Sequence, residues 1–483
     1  MKQFIKRNYT ILVVLLIGLV LRLIIINQSL WLDEAIGAIA VRDYSFSGIL
    51  SDFMKFDNHP PLYYLMLKFW TNYFGYSELA LRLPSVVFGI ASIYILYKLN
   101  DLLNLKKINK NISVILALLF ATSQLHVYFS QEARMYSMAA FIATLSSYFY
   151  LKTIINGKYL DWLGFSLTIV LLCFTDYLPV LMIPVFFSYA LLNVRKKSWW
   201  IGFLISFLPL IVVGIFWLPL FKVQSENGRW ILSTVPKWAE VAGGANLKQL
   251  LLVWSKFVFG RVSLVNKTLY YLLVICFSIP FAYTFSKTIN KNLAKNYYFY
   301  WFSIPVVLGF ILSFKIPAFN YFRYIFILPA FYGLLITGLE KVKIYRNVII
   351  ASFILVNSLS LSIYFFNIKN HREGWKNATA FIDSMVLEGD VVVFSYPKPF
   401  APYIWYSLNS KSFGATDSIL ATYKSIEITN QLVNGKRGVY YFEYLSGLSD
   451  PQKIVQKAIV DNNFRENNVY NFNGVGLVYY YTR

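Results

Sequence analysis

The 483-residue sequence contains little charge and few residues that bind metals or form disulfides. Charged residues make up 14% of it, against 57% hydrophobic residues. The three histidines and two cysteines form no HExxH or paired CxxC pattern, so a metal centre made of His and Cys is not expected. Cys173 and Cys276 both lie inside apolar runs, which argues against a disulfide framework.

Motifs for nucleotide or nucleic-acid binding are missing as well. Gly474 and Gly476 lack the GxGxxG spacing, and no GxxxxGK segment occurs. The net charge of +22 comes from Lys and Arg residues dispersed in short loops between apolar runs. We therefore expect no nucleic-acid partner and interpret the basic residues as a signal of membrane topology.

Long apolar runs dominate the first three quarters of the chain. A lipid bilayer is crossed by about 20 mostly apolar residues per helix, so the runs predict a polytopic α-helical membrane protein with about eleven spans. We do not expect the first run to be a signal peptide, because no small-residue cleavage site follows it. The candidate spans are 9–27, 84–99, 112–129, 136–152, 160–176, 177–194, 201–221, 268–286, 299–314, 322–339 and 347–366.

The distribution of basic residues predicts the orientation. Short cytoplasmic loops are rich in Lys and Arg, and every second loop of this chain is basic if the N-terminus is cytoplasmic. An odd number of spans then places the C-terminal segment on the outer face of the membrane. The basic residues are Lys106, Lys107, Lys110, Lys152, Lys158, Arg195, Lys196, Lys197, Lys287, Lys291, Lys295, Lys341, Lys343 and Arg346.

Three outer segments are too long to be simple connectors: 28–83, 222–267 and 367–483. The first contains amphipathic stretches that suit helices lying in the membrane interface. The last combines helical and strand patterns, which indicates a small α/β domain. We therefore divide the chain into a membrane domain, 1–366, and an extracytoplasmic domain, 367–483. In the latter we expect helices at 375–385 and 451–462 and strands at 390–395, 437–443 and 476–481.

Two adjacent carboxylates, Asp33 and Glu34, follow shortly after the first span. Carboxylates at a membrane boundary are costly to desolvate, so they indicate a cation, a partner base or a catalytic role. They equally suit a solvated helix start, where the helix dipole favours acidic groups. Position alone leaves both interpretations open.

Two further polar groups fall at the same membrane face. His59 precedes two prolines that can open a helix, whose N-terminus would suit a phosphate, although the same segment also suits a plain turn. Glu132, Arg134 and Tyr136 follow at the junction of the third and fourth spans, where the acid and the base could form a purely structural pair.

A last cationic group begins the tenth span. Arg323 is flanked by aromatic residues including Tyr324, and Lys315 lies a few residues upstream. The planar guanidinium suits bidentate phosphate binding, while Arg and Tyr at a span end also serve as interfacial anchors. Together with the groups above, these residues suit a substrate with a phosphate at the surface and an apolar tail in the bilayer.

Several short segments resemble the protein O-mannosyltransferase and aminoarabinose transferase superfamily, glycosyltransferases of the GT-C fold that comprise family 39 and its prokaryotic relatives. The resemblance covers roughly residues 9–340. Its motifs are Leu30-Trp31-Leu32-Asp33-Glu34, His59-Pro60-Pro61-Leu62-Tyr63, Ala80-Leu81-Arg82-Leu83-Pro84-Ser85, Gln131-Glu132-Ala133-Arg134-Met135-Tyr136 and Arg323-Tyr324.

This resemblance implies transfer of a sugar, with inversion, from a polyprenyl or dolichyl phosphate to an acceptor hydroxyl outside the cytoplasm. The family's general base falls on Asp33, with Glu34 beside it. Cations would stabilise the departing lipid phosphate as its charge grows. The expected substrate-binding residues are His59, Glu132, Arg134, Tyr136, Lys315, Arg323 and Tyr324.

The expected partners are a lipid-linked sugar donor, the membrane and an acceptor that could be a glycan, a lipid or a protein. No cofactor is implied with certainty, although the acidic pair leaves room for a divalent cation. Two departures matter: aminoarabinose transferases commonly have Lys where His59 stands, and 222–267 is too short for the folded loop domain of the protein O-mannosyltransferases. The acceptor therefore does not carry over from the family.

Two other functions fit many of these features. A membrane transporter also has many helices with embedded charges, but such proteins often show repeated halves, and we find no internal repeat. A non-catalytic lipid-binding scaffold would keep the fold and not the chemistry. The intact motifs favour an enzyme over both.

Overall fold

The computed structural model describes residues 2–103, 110–289, 293–342, 344–408 and 411–483. Lys106, Lys107, Lys291 and Lys343, which we assigned to inner loops, lie outside the described residues, as does the side chain of Lys110. The described chain is mostly helical, and its strands all lie near the C-terminus.

The helices, in chain order, are α1 (Lys2–Leu23), α2 (Leu32–Asp43), α3 (Phe46–Gly48), α4 (Met54–Phe56), α5 (Leu62–Phe74), α6 (Glu78–Leu103), α7 (Lys110–Ala121), α8 (Gln124–Ser130), α9 (Tyr136–Ile155), α10 (Tyr159–Thr175), α11 (Met182–Asn193), α12 (Lys197–Ile205), α13 (Leu208–Thr234), α14 (Trp238–Ala242), α15 (Leu247–Phe259), α16 (Lys267–Thr288), α17 (Tyr297–Leu312), α18 (Leu328–Leu339), α19 (Arg346–Phe366), α20 (Trp375–Met385), α21 (Ala401–Tyr406), α22 (Lys424–Val433), α23 (Ser446–Ser449) and α24 (Ile454–Asp461). The strands are β1 (Asp390–Phe394), β2 (Ser412–Gly414), β3 (Gly438–Phe442), β4 (Arg465–Phe472) and β5 (Gly476–Thr482).

The protein consists of two compact units. The first comprises Met1–Ile26, Ser45–Gln224 and Ala242–Asn370. The second comprises Asn27–Tyr44, Ser225–Val241 and His371–Arg483. The start of the first outer segment, including α2, therefore packs within the same unit as the C-terminal segment.

The apolar helices belong to the first unit, except that α13 continues into the second unit from Ser225 onward. In the described part of the chain, six helices are long and apolar enough to cross a membrane, and a seventh span results if a pair bent by 61° is counted as one. The six are Glu78–Leu103, Tyr136–Ile155, Lys197–Thr234, Lys267–Thr288, Tyr321–Leu339 and Arg346–Phe366. The bent pair is Asn111–Ala121 with Gln124–Ser130, and the shorter apolar helices are Tyr9–Leu23, Tyr159–Thr175, Leu178–Asn193 and Tyr297–Leu312.

These segments coincide one by one with the runs identified in the sequence. The multi-pass helical architecture is confirmed, and it follows from physics: lipid offers no hydrogen bonds, so a spanning backbone must satisfy its own polar groups within a helix. Because four segments have fewer than 18 residues, the count of eleven spans stays a prediction.

The apolar helices differ in how much of them is covered by protein. Only 11% of the apolar window in Lys197–Thr234 is buried inside the protein, against 83% in Tyr321–Leu339. Phe216, for example, is 82% exposed. Large apolar side chains in such positions need an apolar solvent, so lipid covers the first helix while protein covers the second.

The C-terminal part of the second unit is a five-stranded mixed sheet with strand order β2-β1-β3-β5-β4. Strand β1 pairs in parallel with β2 and β3, and β5 pairs antiparallel with β3 and β4. Every residue of β1 and β3 is buried, because helices cover both faces, as is usual for parallel strands. Trp375 and Ile382 pack on one face, and Val455 and Ile459 pack on the other.

This domain confirms the small α/β fold expected from the sequence. Helix α20 and strands β1, β3 and β5 lie where they were predicted, within a residue or two. Strand β4 and helix α22 were missed. Strand β4 was missed because it lies at the edge of the sheet. Arg465, Glu466 and their neighbours are exposed, so the strand lacks the alternating apolar pattern that marks a half-buried strand.

Candidate functional site

The acidic pair lies in the first turn of α2. Asp33 is half-buried, and Glu34 is fully buried. Both carboxylates therefore sit where the backbone N–H groups of a helix start favour negative charge. Glu34 is not a solvated helix start, because no part of it is exposed.

A third carboxylate, Glu373, belongs to the same unit and was not identified from the sequence. Its Oε2 accepts a hydrogen bond from Trp375 Nε1 over 2.7 Å, and Tyr444 donates its hydroxyl to both carboxylate oxygens over 3.0 and 3.1 Å. The backbone N–H of Leu32 is a further donor. No local motif marks Glu373 in the sequence, because its partners come from distant segments.

The pKa of Glu373 is raised to about 7. Burial is the main cause, and the negative charge of Asp33 adds to it, while the hydrogen bonds from Trp375 and Tyr444 act in the opposite direction. A desolvated carboxyl beside a second acid holds its proton more tightly. Glu373 therefore changes charge near neutral pH.

The His59 segment forms a compact hydrogen-bonded turn in the first unit. The backbone N–H of His59 donates to Asp57 Oδ1 over 2.8 Å, and its Nδ1 lies 2.7 Å from the same oxygen. Tyr64, in the first turn of α5, donates to Asp57 Oδ2 over 2.9 Å. Asp57 thus orients both His59 and Tyr64.

Charge and hydrogen bonds determine the ionisation of Asp57. Burial raises its pKa, but the charges of His59 and Arg134 and the hydrogen bonds from His59 and Tyr64 outweigh burial, so the pKa lies below its usual value. The carboxyl is therefore ionised at neutral pH, and it orients the His59 ring through Nδ1.

Arg134 joins this turn from a distant part of the chain. Its Nη1 donates to the Tyr64 hydroxyl over 2.8 Å, and its Nη2 lies 3.4 Å from His59 Nε2. Ser85 holds the loop by donating to the backbone carbonyl of Arg134 over 3.3 Å. The structure thus brings together His59 and Arg134, two residues that the sequence assigned to phosphate binding.

Glu132 and Tyr136 flank Arg134 and are also buried. Tyr136 begins α9, and its ring packs edge-to-face against Phe129 and Phe322, with centroids 5.1 and 5.7 Å apart. Because Phe322 precedes Arg323, the Tyr136 ring connects the loop of Arg134 with the segment of Arg323 by direct packing.

Arg323 and Tyr324 lie in a 3-10 turn, Tyr321–Ile327, that precedes α18. Arg323 is half-buried, and its guanidinium lies 5.9 Å from the centre of the Phe322 ring. Its buried Nε has no hydrogen-bond partner among the described residues. Tyr324 is fully buried, and its hydroxyl packs onto Gly309 of α17. Lys315 is exposed, and within the described chain it forms no ion pair with the other candidates.

A further arginine of the first unit, Arg261, was missed because the sequence motifs do not include it. Its backbone N–H donates to Gln124 Oε1 over 2.5 Å, and its Nε donates to the Tyr321 hydroxyl over 3.2 Å. The guanidinium also donates to the Tyr128 hydroxyl and lies 4.4 Å above that ring. Arg261 is thus hydrogen-bonded to Tyr321, which lies two residues before Arg323 in the chain.

The described residues contain no group of three or more His, Cys, Asp or Glu side chains that could hold a metal ion. The chemistry that these clusters offer is that of carboxylates and guanidinium groups. Carboxylates accept protons, and fixed arginines bind phosphate oxygens.

Part of the chain matches a known protein family. Residues 58–218 match the profile of a family described as dolichyl-phosphate-mannose-protein mannosyltransferase. This segment includes His59, Arg134 and Tyr136. No curated protein sequence matches the chain.

The fold is similar to that of ArnT from Cupriavidus metallidurans in the apo state, with a TM-score of 0.59 and 10% identity over 100% of this chain and 98% of that chain. The chain therefore has the GT-C fold. The ArnT structure bound to undecaprenyl phosphate gives a TM-score of 0.58 and 11% identity over 98% of this chain and 97% of that chain.

The GT-C fold also extends to a more distant enzyme. Archaeal oligosaccharyltransferase AglB from Archaeoglobus fulgidus, in complex with an inhibitory peptide and a dolichol-phosphate, gives a TM-score of 0.52 and 12% identity over 98% of this chain and 74% of that chain. The GT-C fold that the resemblance implies is therefore confirmed, and the chain is an integral, multi-pass membrane protein.

Proposed function

We propose that this GT-C protein transfers a sugar, with inversion, from a polyprenyl-phosphate donor to an acceptor hydroxyl on the outer face of the cell membrane. The observation that carries the proposal is the joining of His59, Asp57, Tyr64 and Arg134 in the segment that matches the mannosyltransferase family. ArnT, which has the same fold, has been captured with undecaprenyl phosphate, and this supports a lipid phosphate as the donor's carrier.

The phosphate of the donor is assigned to the cationic residues of the first unit. Arg134 and Arg261 are held by tyrosine hydroxyls, and a fixed guanidinium loses little freedom when it binds an anion. Arg323 and His59 supply further donors, and Lys315 adds positive charge. As the glycosidic bond breaks, the carrier phosphate gains negative charge, which these groups stabilise more than they stabilise the donor.

Proton acceptance is assigned to Asp33. In the proposed step the acceptor hydroxyl gives its proton to the Asp33 carboxylate, and its oxygen forms a bond to the anomeric carbon. The bond from that carbon to the phosphate oxygen breaks, and its electron pair leaves with the polyprenyl phosphate. Glu34 is buried beside Asp33 in the same first turn of α2.

The orientation of the chain in the membrane and the boundaries of its two domains belong to the same proposal. The N-terminus is cytoplasmic, residues 1–366 form the membrane domain, and residues 367–483 form an extracytoplasmic domain. The acceptor is a glycan, a lipid or a protein, and the sugar is a hexose or a pentose. No assigned role requires a metal ion.

The test uses the full-length protein in lipid nanodiscs with a series of undecaprenyl-phosphate hexoses and pentoses. Release of undecaprenyl phosphate and sugar transfer are both measured. We expect wild-type cleavage of at least one donor and a loss of about 10²–10⁴-fold in Asp33→Asn, the usual contribution of a general base. Asp43→Asn is the matched control, because Asp43 lies on the same helix and is exposed.

Two results would favour the other functions. Movement of a lipid-linked sugar across a liposome membrane with no cleavage would indicate a transporter. An unchanged cellular glycan profile in an Asp33→Asn strain, measured by mass spectrometry, would indicate a non-catalytic scaffold.

A further inference from the structure

The residues that enter α2 are tied to the C-terminal segment within the second unit. The Ser29 hydroxyl donates to the backbone carbonyl of Glu373, and the backbone N–H of Arg372 donates to Gln28 Oε1 over 2.6 Å. The backbone N–H of Leu30 donates to the Tyr406 hydroxyl over 2.8 Å. The conformation before Asp33 therefore depends on residues that come much later in the chain.

Glu373 is the acidic member of this connection. Its carboxylate accepts hydrogen bonds from Trp375 and Tyr444 of the C-terminal segment and from the backbone N–H of Leu32, directly before Asp33. These donors fix the carboxylate in one orientation. They also anchor the peptide that carries Asp33.

Asp33 of α2 and Tyr444 of the segment after β3 are titratable side chains that act on the Glu373 carboxyl. The turn between β4 and β5 contributes Gly474, whose missing side chain leaves room for the Glu373 methylene groups. Arg372 precedes it in the chain and is buried. Asp33 is the charged group that affects the proton affinity of Glu373.

We propose that Glu373 is a positioning residue for Asp33, and that it holds Asp33 in place through the backbone N–H of Leu32. The proposal rests on the proposed function, in which Asp33 takes the proton of the acceptor hydroxyl. Glu373 touches neither the sugar nor the phosphate. It acts through the orientation of the first turn of α2.

The charge of Glu373 determines how firmly it holds this segment. A hydrogen bond to an ionised carboxylate is roughly twice as strong as one between neutral groups, so a charged Glu373 binds the backbone N–H of Leu32 more strongly than a neutral one. Asp33 is therefore held in its orientation more firmly when Glu373 is charged.

The sign of the pH dependence can be worked out from the pKa of Glu373, about 7. Below that pH the group is neutral, and above it the group is charged. Activity should therefore rise as the pH increases through about 7. Glu373→Gln is neutral at every pH and should lack this rise.

The kinetic arm of the test measures kcat and KM from pH 5.5 to 9 for wild type, Glu373→Gln and Asp383→Asn, with the undecaprenyl-phosphate sugar that the wild type cleaves. We expect Glu373→Gln to match wild type at low pH and to lose about tenfold in kcat at high pH, the factor that corresponds to about 1.4 kcal/mol. KM for the donor should be unchanged.

Asp383→Asn is the matched control, because Asp383 is a carboxylate of the same domain that accepts hydrogen bonds from Ser407 and Tyr403. It should keep the wild-type pH profile. A Glu373→Gln profile parallel to that of wild type, with equal loss at every pH, would show a purely structural role and overturn the proposal.

A second arm needs no substrate. Infrared difference spectra of the full-length protein in nanodiscs report the protonated carboxyl band as the pH changes. We expect a carboxyl group that titrates near pH 7, is absent in Glu373→Gln, and titrates at lower pH in Asp33→Asn because the neighbouring charge is gone.

An unchanged titration in Asp33→Asn would refute the coupling of the two carboxylates. Because this arm uses no donor, it decides on the coupling even if every undecaprenyl-phosphate sugar fails. Failure of all donors, with the coupling intact, would count against the proposed function and not against the link between Glu373 and Asp33.

Discussion

Arg134 donates from Nη1 to the hydroxyl of Tyr64 over 2.8 Å, and the same hydroxyl donates onward to Asp57 Oδ2 over 2.9 Å. A neutral side chain thus connects a buried cation with an ionised carboxylate. This chain of hydrogen bonds links the first outer segment to the loop before α9, and it joins the charges of Arg134 and Asp57 through one hydroxyl group.

Removing the Tyr64 hydroxyl should disconnect the two charges. In Tyr64→Phe, Nη1 of the buried Arg134 loses the Tyr64 hydroxyl as an acceptor, and the loss of a buried hydrogen bond typically costs about 1–3 kcal/mol. We expect a lower midpoint of thermal unfolding and weaker undecaprenyl phosphate binding. Tyr73→Phe is the control, because Tyr73 lies near the end of the same helix and is 71% exposed. Equal effects of both variants would contradict the role of the hydroxyl.

The ionised state of Asp57 should stabilise the first unit in a pH-dependent way. Its pKa is lowered in the folded protein, so its contribution is present above the unfolded value of about 3.9 and is lost as the pH falls through the lower folded value. Asp57→Asn should lower the free energy of unfolding at neutral pH and weaken its dependence on pH in the acid range, both measured by tryptophan fluorescence. Asp52→Asn, at an exposed position of the same segment, should leave that pH dependence unchanged.

Gly309 should be required by the packing of Tyr324. A Cβ at this position would lie 1.8 Å from the Tyr324 hydroxyl, so Gly309→Ala must displace the ring, at a typical cost of about 1–3 kcal/mol. Gly214 lies in α13 with no atom within 4 Å of the same position, and Gly214→Ala should be neutral or stabilising by up to about 1 kcal/mol. Thermal unfolding in nanodiscs measures both, and a Gly309→Ala variant as stable as wild type would show that Tyr324 moves freely.

Arg261 should bind phosphate through its planar guanidinium and not through charge alone. Arg261→Lys keeps the charge but loses the contact with the Tyr128 ring and the donor to Tyr321. We expect about tenfold weaker binding of undecaprenyl phosphate, which corresponds to about 1.4 kcal/mol. Arg229→Lys, at an exposed position, is the control. An unchanged affinity of Arg261→Lys for undecaprenyl phosphate would show that the Arg261 guanidinium does not bind the phosphate.

The extent of sequence-based prediction differs between the parts of the protein. The apolar segments were located because span length and hydropathy are local properties, and the buried strands β1 and β3 were located because continuous apolar runs mark them. Strand β4 has polar residues such as Arg465 and Glu466 on exposed positions. Its pairing with β5, and not its composition, makes it a strand.

The candidate residues show the same division. His59 and Arg134 were identified from their motifs, and the structure brings them together. Arg261 and Glu373 were missed, because each depends on partners from distant segments, Tyr128 in one case and Tyr444 in the other. The roles of Asp33, Glu34, Glu132, Lys315 and the remaining candidates stay predictions.

By itself the sequence determined that this chain folds in a membrane, that its helices carry their own hydrogen bonds, and that it contains the motifs of a GT-C protein. These properties depend on residues adjacent or close in the chain. Only the tertiary structure decided that Glu373 lies beside Asp33 and that Tyr64 links Arg134 to Asp57. The proton affinity of a carboxyl group and the orientation of a guanidinium group depend on neighbours in space, and packing brings those neighbours from distant positions in the chain.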